Sequence, residues 1–138
     1  MPVISRQDLV TTSFTLPCVF TSRINEGNIY NNNLFEEYPL IKIYGGADGG
    51  VNNIVITNNS TTQVIEFNYT ISAEEIITID CANVKVYNDK GENLINYISD
   101  DFAEFVLAIG NNYVTATCDV GQTQVAVNFE YHKKLIGV

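Results

Sequence analysis

The sequence predicts an all-β protein, an antiparallel two-sheet β-sandwich, on three observations. Apolar residues recur with a period of two from Leu40 to the C-terminus. Turn-forming Gly, Asn and Asp clusters interrupt them about every 8–12 residues. Helical spacing is confined to one short stretch after Ser99.

The elements follow in order. Residues 1–35 read as an N-terminal extended arm or an early strand, ahead of a sandwich domain over 36–138. Phe14-Thr15-Leu16 and Val19-Phe20-Thr21 suit short extended pieces interrupted by Pro17, and the polar run from Asn25 to Asn33 carries too few apolar residues for a core. That run is either a surface loop or an arm lying on a neighbouring molecule, for which Ile29, Tyr30, Leu34 and Phe35 are the residues to bury as assembly contacts. Next, Ile41 and Ile43 oppose Leu40, Lys42 and Tyr44 in a strand that ends at a flexible glycine-rich crossover, Gly45–Gly50. Ile54 and Ile56, then Ile65, Phe67 and Tyr69, line the inner faces of two strands joined at Asn58-Asn59-Ser60-Thr61.

Ile77 and Ile79 mark the next strand, Val84 and Val86 the one after it. Asn88-Asp89-Lys90-Gly91 is a hairpin turn, because Asp and Gly tolerate positive φ, and a strand over Glu92–Ile98 follows. Ser99 is the predicted N-cap of one short helical turn carrying Phe102 and Phe105. Beyond the turn at Gly110, residues Val114, Ala116 and Cys118 alternate with Tyr113, Thr115 and Thr117. Val125, Val127, Phe129 and Tyr131 share a face of the last strand. The count is about eight or nine short strands, and connections that cross between the sheets would make the sandwich a jelly roll.

Composition narrows the function. A chain of 138 residues forms one domain with room for a core. Sixteen acidic residues against seven basic ones give a net charge of −9, which opposes both nucleic acid and anionic membrane surfaces as partners. No apolar run approaches the roughly 20 residues of a spanning helix, and Met1–Val10 lacks the apolar segment of a secretory signal. Cys18, Cys81 and Cys118 have no close spacing and His132 is the single histidine, so the expectation is three free thiols, no bound metal and no cofactor.

Catalytic groups are not evident. The glycine run is followed by a strand rather than a helix and lacks a Lys-Ser/Thr pair, unlike a phosphate-binding loop. Glu36-Glu37, Glu74-Glu75 and Asp100-Asp101 are neighbours in turn-like segments, where adjacent acids point apart and read as solvated edges rather than a glycosidase pair. No Gly-x-Ser-x-Gly elbow accompanies the histidine. The reading is a protein that is not an enzyme. Sugar binding is the competing function, with Tyr44, Tyr69, Tyr87, Tyr97 and Tyr113 as stacking rings, although β-propensity alone also places tyrosines in strands.

Several short motifs are similar to the C-terminal, galectin-like domain of siphophage distal tail proteins. They are Ile43-Tyr44-Gly45, Ile54–Asn58, Ile65–Asn68 and Ile76–Asp80, then Asp101-Phe102 and the turn Leu107-Ala108-Ile109-Gly110-Asn111-Asn112, and finally Leu135–Val138. The resemblance runs from Pro39 to Val138, with Ile109 where members usually carry proline. Members carry an N-terminal belt domain that builds a hexameric ring; in this sequence some 35 residues precede the resembling stretch. The resemblance implies a structural virion protein of a bacteriophage, in the tail or baseplate, synthesised in the host cytoplasm. Its partners would be other virion proteins, with copies of itself in a homo-oligomer. A capsid-surface or neck component, and a carbohydrate-binding module contacting the host wall, are the alternatives.

Overall fold

The structure, a computed structural model, describes residues 9–19, 25–47, 49–118 and 124–134. Among these residues, nine strands form two antiparallel sheets: β1 (Leu9–Val19), β2 (Asn25–Asn31), β3 (Leu40–Tyr44), β4 (Ile54–Asn58), β5 (Gln63–Phe67), β6 (Ile76–Asp80), β7 (Lys85–Asn88), β8 (Gly110–Thr117) and β9 (Gln124–Lys134). The five-stranded sheet has the order β1-β9-β3-β6-β7 and the four-stranded sheet the order β2-β8-β4-β5. The pairings nest: β4 with β5, β3 with β6, β2 with β8 and β1 with β9. A long two-stranded ribbon therefore winds around one core, and its successive segments enter alternate sheets. That is the jelly-roll solution, with β7 as an added strand.

The alternation places the core. Ile41 and Ile43, Ile54 and Ile56, Ile65 and Phe67, Ile77 and Ile79, Val114 and Ala116, and Val127 and Phe129 all point between the sheets and are buried. Phe105 stacks on Phe129 with ring centroids 6.4 Å apart. The side chains of Cys18, Val125, Tyr131 and His132, and all of Asp48 and Leu135–Val138, lie outside the described residues.

Of the N-terminal stretch, residues 9–19 and 25–31 are described and give one strand to each sheet. β1 pairs along β9 from Leu9 to Val19 and passes through Pro17, which an edge strand accommodates because one side of it needs no N–H. β2 pairs with β8. On the opposite side, the segment after β7 seals two other edges. Leu94 N–H donates to Val86 O (2.8 Å), Asn68 N–H to Tyr97 O (2.7 Å), and Ser99 N–H to Glu66 O (2.9 Å).

That sealing segment differs from the expected strand over Glu92–Ile98. It holds two 3-10 turns, Ile95–Tyr97 and Asp100–Glu104, in place of the single helical turn expected. Ser99 does not cap: its Oγ accepts the Glu66 N–H (3.1 Å), because covering the β5 edge leaves no hydroxyl for the turn. Val84 is likewise not in phase with Val86. It is exposed at φ +57 in the turn before β7, while Val86 is buried. The glycine crossover is pinned rather than flexible. Gly45 N–H donates to Glu75 O and Gly50 N–H to Ile71 O, and a Cβ on Gly45 would stand 2.5 Å from Ser72 O.

Candidate functional site

Two clusters of buried polar side chains lie outside the apolar core, and they position the surfaces a partner could reach. The first is built from asparagines that continue the inward phase of strands. Asn58 follows Ile54 and Ile56, Asn112 precedes Val114 and Ala116, and Asn31 follows Ile29; all three asparagines are fully buried. Asn112 is the hub. Its Oδ1 accepts the Ala108 N–H (2.8 Å) and the Asn58 amide (3.0 Å), while its own amide donates to Ile29 O, Ala108 O and Gly110 O. Asn58 also donates to Val106 O (2.9 Å), and Asn31 to Phe35 O (3.1 Å) and Leu107 O (3.0 Å). Neutral amides thus satisfy backbone carbonyls that the strands leave behind at their ends. Gly110, at φ +96, lets the chain turn into β8 there.

The loops tied down by this cluster, and the end of β2 that leads into them, are apolar on the outside. Tyr30, Leu34, Phe35, Tyr38 and Ile109 are five of the nine large hydrophobic residues exposed among the described residues, and Tyr30, Leu34 and Phe35 are each 63% exposed. Of the expected assembly contacts, Ile29 is the exception. It faces inward from β2 and is 2% exposed, so its side chain belongs to the core and is closed to a neighbour.

The second cluster surrounds Glu75, which is 7% exposed and so not part of a solvated edge, unlike Glu74 beside it. It stands in phase with Ile77 and Ile79 at the entry to β6. One oxygen accepts the Ser72 N–H (2.8 Å); the other accepts the Tyr69 hydroxyl (2.7 Å) and the Asn88 amide (2.9 Å). Burial alone would raise the carboxyl pKa, but the Ser72, Asn88 and Tyr69 donors outweigh it and hold the group below its ordinary value. Burial, with the Glu75 carboxylate beside it, pushes the Tyr69 phenol up to about 12.

The five tyrosines do not converge on one surface. Tyr44 ends β3 and Tyr87 lies on β7, both facing outward from the five-stranded sheet but separated by β6. Tyr113, on β8, donates its hydroxyl to Glu26 at the surface, and that bond raises its pKa. Tyr69 is half-buried and committed to Glu75. Tyr97 packs edge-on against Tyr69 with centroids 5.1 Å apart, and these are the two that the fold brings together.

Among the described residues, no group of three or more His, Cys, Asp or Glu is arranged to hold a metal ion, and no helix is long and apolar enough to cross a membrane. Glu36, Asp100, Asp101 and Glu104 are exposed. Burial, reinforced by Asp80, raises the Cys81 thiol to about 12, which suppresses thiolate chemistry there. Cys118 is half-buried against the core rather than within it.

The sequence and fold have relatives. Residues 35–134 match the family model described as the siphovirus-type tail component, C-terminal domain. No curated protein matches the chain. Among solved structures, the fold is similar to the SPP1 Dit protein, described as a paradigm of the hub adsorption apparatus in phages infecting Gram-positive hosts. That match has a TM-score of 0.60 at 16% identity, over 93% of this chain and 47% of that one, so this chain spans about half the SPP1 protein. Its coverage reaches beyond residues 35–134 into the N-terminal strands. Another match, a virus-like particle of the extra small virus of the giant freshwater prawn Macrobrachium rosenbergii, has a TM-score of 0.34 at 11% identity, over 93% of this chain and 81% of that one. By the family match, which spans residues 35–134, the chain belongs to the siphovirus-type tail component family, through its C-terminal domain.

Proposed function

We propose that the chain is made in the host cytoplasm and built into the tail's baseplate region as a homo-oligomer, through the loops that the asparagine cluster holds. The observation that carries this reading is the exposure of Leu34, Phe35, Tyr38 and Ile109 on those loops, which the Glu37–Leu107 bridge sets side by side, with Tyr30 at the adjoining end of β2. Exposed apolar residues concentrated in one place mark association surfaces. Loops already ordered by Asn31 and Asn112 lose little freedom on docking, which favours affinity. The test replaces Tyr30, Leu34 and Phe35 together with serine. The variant is expected to stay folded, because all three are exposed, and to fail to enter particles in a complementation assay. Incorporation at the wild-type level would sink the proposal.

In the same reading, residues 1–35 act as strands of the sandwich rather than as a detachable arm. β1 is the sole partner of β9 on that side, and β2 of β8. Deleting Met1 to Phe35 is expected to unfold the domain, since both sheets lose an edge strand and Ile29 leaves the core. A soluble truncated monomer with unchanged circular dichroism and near-normal thermal stability would restore the arm.

A further inference from the structure

We propose that the outer face of β4 and β5, beside Tyr97, is a binding subsite for a neutral saccharide. Two shallow depressions meet there, sharing Glu66 and Asn68 as a common wall. One is completed by Asn96, Tyr97 and Ser99, the other by Asn53 and Val55. Their volumes, about 280 and 320 Å³, fall just below and just above the lower bound of the roughly 300–1,000 Å³ typical of ligand sites, which suits a small ligand such as a single sugar ring.

The lining selects the ligand class. It contains no Lys, Arg or His, and it does contain a carboxylate, so it repels phosphates and other anions. It offers one aromatic face, with planar amides and a carboxylate around it. A pyranose presents the complement, a patch of C–H groups on one face and hydroxyls that both donate and accept around the rim. Among the described residues, the side chains of Glu66, Asn68 and Asn96 and the Tyr97 hydroxyl make no hydrogen bond; Glu66, Asn68 and Tyr97 bond through their backbones alone. Their capacity is turned outward.

The ring is also held in place before any ligand arrives. Tyr97 N–H donates to Leu94 O (3.0 Å), and Tyr97 O accepts the Asn68 N–H. Its ring, 47% exposed, rests edge-on against Tyr69, whose hydroxyl is anchored on the buried Glu75. Tyr69 packs in turn against Phe67 at 5.3 Å, so an aromatic row runs from the core to the surface. A ring fixed in this way offers contact area at small entropic cost on binding. Glu75 and Tyr69 are therefore positioning residues for Tyr97.

The test is a titration of the isotope-labelled chain with the methyl glycosides of glucose, galactose, N-acetylglucosamine and rhamnose, following the side-chain amide signals of Asn68 and Asn96 by NMR. At least one sugar is expected to shift both signals saturably. Tyr97→Phe should keep the binding, whereas Tyr97→Ala should weaken it about tenfold or more, the effect of losing about 1.4 kcal/mol. Thermal unfolding of both variants reports whether the Tyr69 contact survives. Absence of saturable shifts with all four sugars, or equal shifts in Tyr97→Ala, would overturn the proposal. Because Tyr97 lies outside the apolar loops, Tyr97→Ala should enter particles normally, which separates failure here from failure of the assembly reading.

Discussion

The Asn112 and Glu75 clusters do the same structural work with opposite electrostatics. Each takes a side chain that continues the inward phase of a strand, buries it beyond the apolar core, and uses it to bind loop backbone. The asparagine cluster is neutral. It needs no counter-charge and responds to no pH, and the loops it holds carry Leu34, Phe35 and Ile109 outward. Glu75 is a charge without a buried cation, kept ionised by three donors, and the side chain it orders is Tyr69, next to Tyr97. A fixed apolar surface calls for a support that is indifferent to conditions. A support built on a carboxylate makes its surface conditional on pH.

The largest effect is expected from Asn112→Ala. It strands the Ala108 N–H and the Asn58 amide and removes three donations to carbonyls, so several buried groups lose partners at once. At about 1–3 kcal/mol for each buried group left unpaired, partly relieved by water, the cost should be about 4 kcal/mol by denaturant unfolding, with the same penalty at neutral and acid pH. A loss below about 1 kcal/mol would show that the asparagines are not the support proposed here.

Glu75→Gln should cost less, about 2 kcal/mol at neutral pH, because one carbonyl oxygen still accepts a donor while the new amide faces the Asn88 amide or the Ser72 N–H. Its sharper signature is in pH. The folded-state pKa of Glu75 lies below the ordinary carboxyl value of 4.5, so the unfolded chain binds the proton first as pH falls. The stability it contributes is present above about 4.5 and is lost as pH falls through the folded value. Tyr69 sets the other limit: its contribution is intact below 10.0 and lost as pH rises towards about 12. Unfolding curves should show an acid limb in the wild-type chain that flattens in Glu75→Gln and persists in Asn112→Ala. An unchanged acid limb in Glu75→Gln would place the titration elsewhere.

Much of the sandwich was legible because alternation is a local property. Ile41 and Ile43, or Ile54 and Ile56, state which face is buried without reference to any other strand. The polar clusters were legible in part. Glu75, Asn58 and Asn112 each sit in register with buried isoleucine, valine or alanine, and a polar residue in that phase is a signal for a buried hydrogen-bonding hub. Read as turn residues, they conceal it. Asn25–Asn33 shows the same limit: its polar composition suggested a loop, yet Ile29 and Asn31 alternate inward once β8 lies alongside.

Residue pattern was enough for the period-two strands, the turn at Asn88–Gly91 and the core face of each central strand, and net charge for a surface unsuited to nucleic acid. Tertiary structure alone decided that residues 9–19 and 25–31 enter separate sheets, that the segment after β7 covers edges in place of forming a strand, and that Ser99 bonds β5. It also decided that Glu75 is buried and Tyr97 is not. The reason is that edge pairing and buried hydrogen bonds are satisfied between residues far apart in the chain. Asn112 reaches Ile29 and Asn58 reaches Val106, and no local pattern specifies which distant carbonyl will need a donor.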